Sequence, residues 1–173
     1  MTLREIRNGP LAEALLLLPA KMTSVLAELQ LLATTLQEDP DQRRRQWPTG
    51  PARGLWQFEL GTEISRGGVW GIYLHDASRA PLRDLCAARG VAFEPVAIYN
   101  RLQHDDVLAA GCARLLLYTD PHKLPAIGDE EDAWQLYLDT WRPGAYTKGT
   151  AEKRAELRHK WAKNYAAALK VFQ

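Results

Sequence analysis

Two places in this 173-residue chain carry side chains suited to chemistry. The first is Glu38, which closes the apolar-periodic run 22–38, "MTSVLAELQLLATTLQE". A carboxyl group at the end of a packed helix is shielded from water on one side. Such burial raises its pKa towards neutrality, and an acid still protonated there can donate a proton as a general acid, although by position alone a last-turn glutamate is more often simply solvated. The second is residues 50–59, "GPARGLWQFE", where Trp56 and Phe58 flank Gln57 directly after a turn holding Gly50, Pro51 and Gly54. Neither helix nor strand is well specified there, and the glycines let backbone approach another molecule closely. Glu59 follows as a candidate second carboxylate, although a loop glutamate is more often simply solvated.

Glu38, the run Gly54-Leu55-Trp56-Gln57-Phe58 and the following Gly61-Thr62 together resemble the signature of the soluble, lysozyme-like lytic transglycosylases and their phage relatives. In that family a Glu closing a helix precedes a Gly-Leu-aromatic/Met-Gln motif at this spacing. The resemblance covers residues 31–62, and "WQLYLDTWRPG" further on is similar in style to phage proteins that carry the same loop. Two positions depart from the pattern. Asp39 stands where the family has Ser, and the family's later Tyr-Asn signature finds only Ile98-Tyr99-Asn100 as a candidate.

The resemblance implies a lysozyme-like helical domain that cleaves the MurNAc–GlcNAc linkage of peptidoglycan, with Glu38 as general acid and base. It implies that Trp56 and Phe58 present ring faces to a sugar while Gln57 hydrogen-bonds an acetamido group. Arg53, Tyr99 and Trp141 complete the candidate substrate-binding set. The competing reading of Trp56 and Phe58 is that they plug the core beneath a long loop. Glycosidases usually need two carboxylates, whereas the family manages with one. Because Asp39, Asp41, Glu59 and Glu63 all neighbour the motif, transglycosylation and hydrolysis both stay open. The expected partners are peptidoglycan glycan strands and phage virion proteins. Synthesis is expected in a host cytoplasm, with virion association or delivery to the periplasm afterwards. A non-catalytic virion component or glycan-binding protein on the same fold is the alternative.

The elements that must position these groups are helical. Ser24 or Thr23 can cap the 22–38 helix, which stops near Pro40. After the irregular segment 39–63, "VWGIYLH" suits a short buried helix with Val69, Ile72 and Tyr73 inward. A second follows over Pro81–Arg89, closed by Gly90, and a third over 94–102. Asp105 can cap a helix reaching Tyr118, and Asp129 one bearing Trp134, Leu138 and Trp141. From Thr150 the last helix carries Leu157, Trp161, Tyr165, Leu169 and Phe172 as an apolar stripe. The fold class is therefore all-α, one domain over 1–173, with a small β-hairpin expected in 45–63.

Composition narrows the field. Hydrophobic residues at 46% and charged residues at 25% are ordinary for a globular domain. A net charge of +1 selects neither nucleic acid nor an acidic surface. Arg43-Arg44-Arg45 can meet carboxylates or phosphates, but a solvated charge run is the default, as it is for the basic face of the last helix. His75, His104, His122 and His159 lack ligand spacing, so no metal is assigned, and no cofactor motif is present. Cys86 and Cys112 read as buried, reduced thiols. Leu11–Pro19 is broken by Glu13 and too short for an export signal, and no run reaches the roughly 20 apolar residues of a membrane span.

Overall fold

A computed structural model describes residues 1–173. Helices α1 (Leu3–Ile6) and α2 (Ala12–Leu17) flank a π-turn at Arg7–Leu11 that contains Pro10. They were not expected from the sequence, because their apolar run is short and broken by Gly9 and Pro10. Burial of Ile6, Leu11, Ala14 and Leu15 holds them. The helix that ends in the candidate acid, α3 (Val25–Glu38), starts where Ser24 Oγ accepts the amide of Ala27 at 3.1 Å.

The remaining helices are α4 (Gly68–Leu74), α5 (Asp76–Arg89), α6 (Pro95–Arg101), α7 (Asp106–Thr119), α8 (Glu130–Trp141), α9 (Gly144–Thr147) and α10 (Ala151–Leu169). Asp105, Asp129 and Thr150 each accept an amide of the first turn, as their positions before apolar-periodic runs predict. Gly90 takes the left-handed conformation (φ 63°) that ends α5. That helix begins five residues earlier than Pro81 suggests. His75 Nδ1 accepts the amide of Ala77 at 3.1 Å and Ser78 Oγ donates to the carbonyl of Ile72 at 2.6 Å, so the first turn is already anchored when proline arrives.

Helix α7 is buried along most of its length and packs on α5, where Gly111 lets Leu85 close in. Helix α3 packs most extensively against α10. One continuous cluster of 36 buried apolar residues draws from all the long helices, so the chain is built around a single core. The class is all-α. The hairpin expected in 45–63 reduces to isolated antiparallel bridges, Arg45 with Arg53 and Arg53 with Phe58. Pro48 and Pro51 lack the N–H a longer ladder would need. No helix is long and apolar enough to cross a membrane.

Candidate active site

Helix α3 ends on a residue row clasped by α10. Gln37 is buried and held three ways: its Nε2 donates to the carbonyl of Leu157 at 3.3 Å, its Oε1 accepts Asn164 Nδ2 at 2.8 Å, and its carbonyl accepts Lys160 Nζ at 2.6 Å. The next side chain, Glu38, is half-buried against α8, where the hydroxyl of Tyr137 donates to Oε1 at 2.5 Å. Tyr137 is itself buried in a three-ring cluster with Trp134 and Trp161, whose centroids lie 5.4 and 4.9 Å from its own and 5.8 Å from each other. The aromatic wall strips water from the carboxyl group. Burial accordingly pushes Glu38 up from its ordinary 4.5 to about 7, opposed by the Tyr137 hydrogen bond and the charge of Lys160. Glu59 and Asp39 add a smaller upward push through their negative charge. Lys160, half-buried at the same point, is lowered by its own desolvation and raised by Glu38.

The loop that follows is fastened to this helix. Asp39 ends α3 and is buried; its Oδ1 accepts the amide of Arg43 at 2.9 Å and its Oδ2 that of Arg44 at 2.8 Å. Arg44 then forms a two-pronged ion pair with Asp106 at the start of α7, both contacts 2.7 Å. Only Arg43 and Arg45 of the arginine run are exposed. Thr35 Oγ1 donates to the carbonyl of Leu55 at 2.9 Å, which lays the Gly54–Phe58 segment along α3. Gly54 has φ 78°, and a Cβ there would stand 3.0 Å from the carbonyl oxygen of Leu102 and 3.2 Å from Ala109 Cβ. Both its backbone conformation and its crowding explain why the motif opens with glycine.

Trp56 is fully buried, its indole N–H donating to the carbonyl of Leu31 at 2.9 Å, and Phe58 is buried with its ring edge-on to Trp141. The expectation that these two rings face a sugar is thereby corrected: both belong to the core under the loop. Apolar area and the indole N–H are better satisfied against α3 than in water. Gln57 is half-buried with φ 49°, and its amide turns back to donate to the carbonyl of Gly54 at 2.8 Å. Trp141, half-buried, donates its indole N–H to the carbonyl of Trp56 at 2.8 Å, so it braces the motif from α8. Arg53 donates to the carbonyl of Gly50 at 2.7 Å and lies over the Tyr99 ring, while the Tyr99 hydroxyl donates to the carbonyl of Pro51. Arg53 and Tyr99 thus hold the loop through its own backbone carbonyls. Glu59 is exposed.

The structure thus joins Glu38 to two groups the sequence did not assign to it, Tyr137 and Lys160. Tyr137 reads as part of a helical aromatic stripe and Lys160 as part of a basic outer face; only long-range packing reveals either role. The basic face is also less solvated than expected, since Arg158 pairs with Glu130 and Glu131. No group of three or more His, Cys, Asp or Glu side chains is arranged to hold a metal ion. An open cleft of about 310 Å³ lies along α8 at Asp132, Gln135, Leu136 and Asp139, is lined also by Asp120 and His122, and includes neither Glu38 nor Tyr137. Glu38 is the carboxyl group of this region whose pKa burial raises towards neutrality. The chain matches no family model, no curated protein and no solved structure.

Proposed function

We propose that this chain is a peptidoglycan-cleaving glycosidase that uses Glu38 as its general acid and base. The observation that supports this reading is the Glu38–Tyr137 pair: a carboxyl group at a helix end, set against an aromatic wall and pushed to about 7, next to the Gly54–Phe58 loop. Near neutral pH such a group exists in both forms, which suits a residue that must first give a proton and then take one. In the transglycosylase version, protonated Glu38 gives its proton to the glycosidic oxygen as the C1–O bond breaks. The muramic acetamido oxygen holds C1 meanwhile. The Glu38 carboxylate then removes the proton of the 6-hydroxyl, whose oxygen bonds to C1 and releases the acetamido group as an anhydro ring. In the hydrolytic version a water takes the place of that hydroxyl.

The burial of Trp56 and Phe58 and the exposure of Glu59 favour a second reading. In it the chain is a virion component or glycan binder that keeps the scaffold without turnover. The two part in one experiment. Purified peptidoglycan is incubated with the wild type and with Glu38→Gln, and the soluble products are analysed by mass spectrometry. Anhydro ends from the wild type mean transglycosylation and reducing ends mean hydrolysis. Glu38→Gln should lower the rate about a hundred- to ten-thousand-fold. A wild type that releases no fragments overturns the enzymatic reading and leaves the binding one.

A further inference from the structure

Trp47 is the one exposed aromatic side chain of the molecule, at 72% of its full accessible surface. Every other Trp, Tyr and Phe is buried or half-buried. The segment that displays it is built rather than loose. The amide of Gln46 donates to the carbonyl of Ala52 at 3.0 Å, the amide of Gly54 donates to that of Arg44 at 3.0 Å, and Arg45 bridges Arg53. The Arg43 guanidinium lies 4.7 Å from the Trp47 ring centroid, and one of its nitrogens lies 3.2 Å from Asp41. One ring face is thus shared with a cation and the rest is open to solvent.

This tip is tied to the acid. The Arg43 amide is bound by Asp39, the neighbour of Glu38. Arg43 in turn reaches both Asp41 and the Trp47 ring, so Asp39, Arg43, Asp41 and Trp47 form one connected run that starts next to Glu38 in the chain. With Trp56 and Phe58 committed to the core, Trp47 is the aromatic ring of this loop left open to a ligand.

We infer that Trp47 and Arg43 form a glycan subsite, Trp47 stacking on a sugar ring and Arg43 meeting a carboxylate carried by the strand. The choice of ligand rests on the glycosidase reading above. A flat indole face matches the C–H face of a pyranose, and a guanidinium held only by an exposed aspartate can exchange it for a lactyl or peptide carboxylate.

The test uses Glu38→Gln protein, so that ligand is not consumed, and two probes: purified peptidoglycan, and soluble chitooligosaccharide, which lacks carboxylates. Binding should protect an indole from acrylamide quenching. Trp47→Ala should weaken binding of both probes about tenfold and abolish that protection. Trp47→Phe should keep most of the affinity, and Arg43→Gln should weaken binding to peptidoglycan alone. Trp47 buries little, so Trp47→Ala should melt at the wild-type temperature. Equal binding by wild type and Trp47→Ala, or no binding by either, overturns the inference. A wild-type protein that cleaves nothing yet binds through Trp47 sinks the enzymatic reading and leaves this subsite standing. One that cleaves as well after Trp47→Ala sinks the subsite alone.

Discussion

The hydroxyl of Tyr137 donates to Oε1 of Glu38 at 2.5 Å, across 99 residues of sequence. Because a hydrogen bond to a carboxylate favours its charged form, this contact restrains a pKa that burial drives upward. Tyr137→Phe removes the restraint and leaves the ring stack in place. The Glu38 titration, followed by carboxyl NMR or by the alkaline limb of a cleavage profile, should move to higher pH. The loss of one bond to a charged partner should cost about 1–2 kcal/mol of stability when Glu38 is ionised. An unmoved titration would show that the hydroxyl does not tune the acid.

Ionising Glu38 in its shielded position carries a cost that folding bears. The folded-state value of about 7 lies above the ordinary 4.5, so the folded protein binds more protons between these values. The penalty is absent below pH 4.5, grows as pH rises, and is complete above pH 7. Glu38→Gln keeps the shape without the charge. Above pH 7 it should be more stable than the wild type by on the order of 2 kcal/mol, after allowance for the partial exposure of the carboxylate. The two urea midpoints should converge towards pH 4.5; a difference independent of pH would refute the desolvated site.

Trp56 and Trp161 are both fully buried but differ in their N–H groups. That of Trp56 is bonded to the carbonyl of Leu31, whereas that of Trp161 has no partner. Replacing each by Phe opens a similar cavity, but Trp56→Phe gives up a buried hydrogen bond whereas Trp161→Phe removes a buried donor that has no partner. Trp56→Phe should therefore be the more destabilising, by about 1 kcal/mol in a denaturant titration. If Trp56→Phe instead melted like the wild type and lost only affinity for glycan, the assignment of this ring to the core would be wrong.

Asp39 accepts two successive amides and so shapes the start of the loop that bears Arg44 and Trp47. Asp39→Ala should cost about 2 kcal/mol and expose the amides of Arg43 and Arg44 to hydrogen exchange. Asp39→Ser, which installs the residue of the resembled family, offers a single oxygen and should recover about half of that loss. Full recovery by Ser would mean that one of the two bonds contributes nothing.

Sequence alone determined what is local in this protein. Ser24, Asp105, Asp129 and Thr150 cap helices where they precede apolar-periodic runs, and Gly90 ends one, because capping bonds span only three or four residues. The all-α class followed from that same short-range pattern, whereas Glu38 was singled out by the resemblance of its spacing from the Gly54–Phe58 motif. Pro81 misled for an equally local reason: its effect was overridden by anchors at Ile72 and His75 contributed by the neighbouring helix and turn. Tertiary structure decided which side of each aromatic meets water. A tryptophan offers the same apolar surface to a core and to a sugar, and only the approach of α3 and α8 commits Trp56 and Phe58 inward while leaving Trp47 outside. It also supplied Tyr137 and Lys160 to Glu38, since the desolvation and charge that set a proton's affinity come from helices remote in sequence that periodicity cannot bring together.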